Sequence, residues 1–224
     1  DRLMPTLARF DRIIVDPVFI HKFGLDFGDL QTVWRIPHIV FDGYHPDLCY
    51  LTGSGPLSNG PLGHYHSALA YAGFRCGLDE AATQALFRTD VYERLGYLER
   101  WDASRDGMLD EYFRRGYDLR QAFAAWSARG PFMHTFNHPG IACLRDLARA
   151  ILLRAGLPIH DTDVLPHDNL ANGAVLPVYP EIGIRLAIGA AGRNLLRAPG
   201  LAAPAHHLRA DGKAKSSPTL MRLP

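Results

Sequence analysis

The chain is predicted to be an α/β protein with a small, mostly parallel sheet and a helix-rich insertion. Three observations carry that expectation. Apolar runs at 12–16 and 32–41 are cut by Pro17 and Pro37, as short strands are. Amphipathic segments then follow one another from 65 to 155. Finally, 224 residues at 47% hydrophobic and 21% charged suffice for one well-buried domain, drawn here as 1–197.

Taken in order, 12–16 is a buried strand ended by Pro17, and 32–36 and 38–41 are one or two more around Pro37. Residues 51–63, rich in Gly, Pro, Ser and Asn, form a loop. Pro61 suits the first turn of a helix that continues through the alanine-rich 65–74 and stops at Gly77. Asp79 is an N-cap for 80–87, and Thr89 or Asp90 opens 91–98. Ser104 caps a charged helix carrying Met108, Leu109, Tyr112 and Phe113. Asp118 opens another, with Leu119, Ala122, Phe123 and Trp126 on one face and Gly130 at its end. Residues 131–136 read as a strand. The clearest helix is 140–155, with Ile141, Leu144, Leu147, Ala148, Ile151, Leu152 and Ala155 on one face and Arg145, Asp146, Arg149 and Arg154 on the other. A short helix is expected near 182–188. Residues 198–224 lack apolar periodicity and are expected to be a disordered tail.

Composition removes several function classes. The 24 basic and 23 acidic side chains balance to +1, and no Lys/Arg run with interleaved aromatics offers a nucleic-acid footprint. Cys49, Cys76 and Cys143 are odd in number and widely spaced, which argues for a reducing compartment rather than a disulfide framework. No stretch reaches the roughly 18 apolar residues of a membrane span. No signal pattern opens the chain, so the cytoplasm is the expected location.

The chemistry concentrates in three segments. Phe41-Asp-Gly-Tyr-His-Pro-Asp47 follows a strand, where α/β proteins place ligands. There Asp42 or Asp47 could orient His45 as a general base; the same residues also make a plain turn. In Gly60-Pro-Leu-Gly-His-Tyr-His-Ser67, His64 and His66 would share a face on a strand but diverge by about 200° on a helix. Read as a helix start, the segment offers no chelate but does offer N–H groups to a phosphate, with Ser67 adding a hydroxyl. In Thr135-Phe-Asn-His-Pro139, Asn137 or His138 caps the best helix or serves an anion at its start. His134 and His160 read as isolated. Dinucleotide, Walker A and lipase-type motifs are absent from the sequence.

These segments, with Tyr50-Leu51 and Leu176-Pro-Val-Tyr-Pro180, resemble the WcbI family over about 13–179. The resemblance implies an α/β fold and a bacterial, coenzyme A-dependent acetyltransferase of capsule or polysaccharide biosynthesis. It implies a saccharide substrate; with histidines that are not spaced to chelate on a helix, no metal is expected. Family members usually open with a strand and a Gly-Asn-Cys-Gln turn; nothing here matches it, so the chain is expected to be incomplete or inactive, or to supply that role from another segment. The expected catalytic residues are His45 with Asp42 or Asp47, and His138 with Asn137. Cofactor contacts are expected at Tyr44, Gly63, His64, His66 and Ser67. A carbohydrate esterase and a non-catalytic binder of coenzyme A or sugar nucleotides are the competing readings.

Overall fold

Asp16 ends the first strand and starts the first crossover. Its Oδ1 accepts from the Val18 N–H, which caps the helix that Pro17 opens, and its Oδ2 meets His38 Nδ1 at 2.7 Å. The computed structural model describes residues 3–28, 32–52, 56–160 and 164–187. Helix α1 (Leu3–Leu7) leads to β1 (Ile13–Val15), α2 (Pro17–Phe23) and β2 (Val33–Arg35). Strands β1 and β2 pair in parallel, with Ile14 opposite Trp34.

The sheet does not extend further. Strands β3 (Leu48–Cys49) and β4 (His66–Ser67) form an antiparallel pair, as do β5 (Met133–Thr135) and β6 (His138–Pro139). Among the described residues the fold is therefore helix-rich α/β with three two-stranded sheets, one parallel and two antiparallel, in place of the mostly parallel sheet expected. The expected strand at 38–41 makes no ladder. Ile39 and Phe41 are fully buried against helices, and the Phe41 N–H donates to the Phe136 carbonyl at 2.7 Å.

Helices fill the middle. They are α3 (Ala68–Arg75), α4 (Glu80–Gln84), α5 (Thr89–Arg94), α6 (Arg100–Arg114), α7 (Arg120–Ala128) and α8 (Ile141–Arg154), then a 3-10 turn (Asn169–Asn172) and α9 (Pro180–Arg185). Asp79 caps α4 as expected, its Oδ1 accepting from the Ala82 N–H. Three expected starts move. Helix α3 begins at Ala68, because His66 and Ser67 are still extended in β4 and Ser67 is the N-cap. Pro61 instead sits in a tight turn closed by reciprocal bonds between Gly60 and Gly63. Helix α6 starts ahead of Ser104, whose hydroxyl accepts from the Asp42 N–H at 2.9 Å. Neither Asn137 nor His138 caps α8; Asp168 Oδ2 accepts from the Ile141 N–H. The expected tail at 198–224 lies outside the described residues.

An aromatic core joins these layers. The Phe41 ring lies 4.8 Å from Trp101, 4.9 Å from Phe132 and 5.3 Å from Tyr44, and Phe123 and Trp126 pack behind them. Gly43 permits the contact with α6, since a Cβ there would stand 2.9 Å from Trp101 Cα. A second cluster holds Leu69, Tyr92, Tyr97 and Ile182.

The 41–47 loop runs between the clusters and is spoken for. Asp42 Oδ2 accepts from Arg100 Nε and Nη2 at 2.8 and 2.6 Å. His45 is 2% exposed, and its Nε2 donates to the Leu176 carbonyl at 3.0 Å, leaving Nδ1 buried without a partner. Neither aspartate orients it. Asp47 is 1% exposed; Oδ1 accepts from the Leu69 N–H at 2.9 Å and from Tyr97 Oη at 3.5 Å, and Oδ2 accepts from Tyr179 Oη at 3.0 Å.

Asp47→Ala should therefore strand an N–H and two phenols in the interior. A loss of about 3 kcal/mol and of about 10 °C in Tm is expected, read by thermal unfolding. An unchanged Tm would show that Asp47 is not structural. His45 gives a second expectation. Burial lowers its pKa to about 4, with the Leu176 carbonyl opposing the shift. The neutral ring is thus part of the folded state, and the stability it confers is full above the unfolded value near 6.5. That stability should fall between pH 6.5 and about 4 by about 3 kcal/mol, and His45→Asn should flatten the slope in urea titrations across that window.

Candidate functional site

The turn from Gly60 to Gly63 and the hairpin of β5 and β6 face a common cleft of about 670 Å³. Pro61, Leu62, Gly63 and His64 contribute one part of its lining, and Gly173 and Ala174 another. Tyr50, Tyr65, Asn137 and His138 supply the rest. Gly63 takes φ +70°, a conformation open to glycine, and this closes the turn that presents His64.

A hydrogen-bond network runs beneath the cleft. Tyr65 Oη donates to Asn137 Oδ1 at 2.6 Å, and Asn137 Nδ2 donates to Tyr50 Oη at 3.0 Å. Thr135 Oγ1, fully buried, lies 3.1 Å from Asn137 Oδ1 and 3.2 Å from Tyr65 Oη. With the Tyr65 proton spent on Asn137, His138 Nε2 is the donor in its 3.3 Å contact with Tyr65 Oη. Nδ1 of His138 then carries the lone pair, buried and without a partner. Burial, and next the neighbouring His134, lower the His138 pKa and favour its neutral form.

The Ser58 carbonyl decides two more tautomers. It lies 3.1 Å from His64 Nδ1 and 3.2 Å from His66 Nε2. A carbonyl can only accept, so both of those nitrogens carry protons. His64 Nε2 and His66 Nδ1 are left as acceptors. His64 is exposed and lines the cleft, whereas His66 packs over the Gly60 turn, 3.2 Å from where a Cβ at Gly60 would lie.

Of the residues singled out from the sequence, Gly63, His64, Asn137 and His138 meet in the cleft; Asp42, Tyr44, His45, Asp47, His66 and Ser67 do not line it. Tyr44, expected to touch a cofactor, is 1% exposed, with its hydroxyl on the Gly130 carbonyl. Ser67 Oγ is occupied by the Ala70 N–H. Both helix starts nominated for phosphate are filled by the chain's own acceptors. Asp47 and Ser67 close α3, and Asp168 closes α8. Residues missed in the sequence include Tyr65 and Thr135, which sat unremarked inside the motifs. His134, read as isolated, donates from Nε2 to Asp168 Oδ2 at 2.9 Å. Asp168 had no readable signal, because it lies 34 residues from that partner in an irregular stretch. Burial acts to raise the Asp168 pKa, but His134 and the Ile141 N–H outweigh it and hold the carboxyl below its usual range.

Among the described residues, no group of three or more His, Cys, Asp or Glu side chains is placed to bind a metal ion. No described helix is long and apolar enough to cross a membrane. Cys49 and Cys143 are buried and Cys76 is exposed; none lines the cleft.

Comparison with known proteins gives the family and the fold. A family profile described as "Polysaccharide biosynthesis enzyme WcbI" matches residues 23–160. A solved structure of WcbI, described as a novel polysaccharide biosynthesis enzyme, superposes with a TM-score of 0.50 at 20% identity. The match covers 75% of this chain and 60% of that one, and the structure is described as the native protein without a disulfide bond between coenzyme A and one of its cysteines. At that identity the likeness speaks for the fold. No curated protein sequence matches the chain. The profile spans more than half of the 224 residues, and the chain belongs to the WcbI family of polysaccharide biosynthesis enzymes.

Proposed function

We propose that the chain is an O-acetyltransferase that moves an acetyl group from acetyl-coenzyme A to a sugar hydroxyl. The observation that carries this reading is the meeting of the 60–67 and 135–139 motifs at one cleft, with an exposed imidazole of fixed tautomer. Family membership, and the coenzyme A named for the solved relative, support it.

Acetyl-coenzyme A supplies an acyl group already activated as a thioester. Tyr50, Tyr65, Leu62, Gly173 and Ala174 suit its uncharged arm, while the starts of α3 and α8 are closed to its phosphates. His64 is assigned as the base. Ser58 holds its Nδ1–H, so Nε2 takes the proton of the attacking hydroxyl and returns it to the thiolate of coenzyme A as the C–S bond of the thioester breaks. His45 and His138, the bases expected from the sequence, each have their lone-pair nitrogen buried and yield that role. Tyr50 Oη, fixed by Asn137 Nδ2, is assigned to meet the negative charge that gathers on the carbonyl oxygen. His138 and Thr135 set the network that keeps Asn137 in place.

One observation favours a second reading, a carbohydrate esterase with water as the acceptor. The occupied helix starts leave the predicted phosphate positions to Asp47 and Asp168, and an esterase needs no nucleotide. Thermal-shift titration separates the two. A rise in Tm with coenzyme A or acetyl-coenzyme A is expected, followed by release of free thiol when a saccharide acceptor is added. No shift with either ligand, together with hydrolysis of acetylated saccharides, would replace the transferase by the esterase.

His64→Ala should lower kcat by about 10²–10⁴. Tyr50→Phe should lower it by about 10²–10³. Tm should stay within about 1 °C for His64→Ala, since an exposed imidazole contributes little to stability. Unimpaired turnover in His64→Ala would remove it as the base.

A further inference from the structure

The segment 168–176 is tied down at both ends. Asp168 Oδ2 accepts from His134 Nε2 and from the Ile141 N–H, both at 2.9 Å. Its Oδ1 accepts from the Leu170 and Ala171 N–H groups at 3.2 and 3.3 Å and so folds the 3-10 turn. At the far end, the Leu176 N–H donates to the His134 carbonyl at 2.9 Å, and the Leu176 carbonyl receives His45 Nε2. Gly173 and Ala174 lie between these ties and line the cleft. A Cβ at Gly173 would stand 4.0 Å from His138 Cε1, so the strap passes about a methyl group's breadth from that ring. Helices are ordinarily capped by a neighbour in sequence, and Asn137 stood available. This helix is closed by a carboxylate 27 residues downstream that also grips a side chain of β5.

We propose that Asp168 is a positioning residue of the cleft: its carboxylate latches the 168–176 strap to His134 and to the start of α8, and thereby holds Gly173 beside His138 in the cleft lining. The assignment rests on the reading of this cleft as the reactive site. Its test therefore has readouts that do not require turnover.

Hydrogen exchange across 169–176 and the imidazole NMR signals of His138 are compared in the full chain, Asp168→Ala and Asp168→Asn. In Asp168→Ala, exchange in the strap should quicken by about tenfold or more while α6 and α7 stay protected, and the His138 signals should move. Asp168→Asn keeps one acceptor oxygen and should restore part of both. His134→Ala cuts the latch and leaves the Ile141 cap, so it decides the matter if Asp168→Ala fails to fold. Unchanged strap exchange in these variants would overturn the proposal. So would a loosened strap with His138 unmoved, for then Asp168 merely caps a helix. Absence of acetyl transfer in the unmodified chain would defeat the proposed reaction, while exchange and the His138 signals would still decide the role of Asp168.

Discussion

The carboxylate of Asp47 is the constraint on which the remaining structure depends. A buried carboxylate must find donors, and this one finds them in three places far apart in sequence: the start of α3, Tyr97 and Tyr179. Its main-chain carbonyl adds the Ala68 N–H. The first N–H groups of α3 are thus satisfied by Asp47 twice and by Ser67 once. With α3 anchored there, β4 has its register against β3, and the Gly60–Gly63 turn presents His64 to the cleft. A residue singled out in the sequence for chemistry instead sets the frame within which chemistry can occur.

The same logic explains the character of the cleft. Two helices begin near it, and positive ends of helix dipoles attract anions. Here Asp47 and Asp168 already supply the negative charge. What remains in the lining is phenol, amide, imidazole and apolar groups.

Local pattern made much of the fold legible. The breaks at Pro17 and Gly130 and the cap at Asp79 are short-range signals, and the structure follows them; α8 buries Leu147 and Ile151 of its expected stripe but adds Cys143 and leaves Ala148 exposed. The failures have a common cause, competition from distant partners. Ser104 reads as a cap in isolation but accepts from Asp42, 62 residues away. Asn137 reads as a cap but serves Tyr65 and Tyr50. The residues 38–41 have strand composition, yet strand composition here meant burial against helices. Within the site, the motifs pointed to His64, Asn137 and His138, whereas which nitrogen bears the proton depends on the Ser58 carbonyl and Tyr65 and could not be read from spacing.

The ladders join neighbours in sequence, but the ties from the 45–47 region to the segment before α9 do not. His45 reaches Leu176 across 131 positions and Asp47 reaches Tyr179 across 132. Closing a loop that long costs chain entropy once. Because the two ties lie within three residues of each other at either end, the second forms at almost no added entropic cost. Each tie therefore lowers the entropic cost of the other. Gly173 and Ala174 sit just upstream, so the clasp joins one side of the cleft to the buried carboxylate that anchors α3. The shape of the cleft and the stability of the fold are thus coupled through one buried side chain.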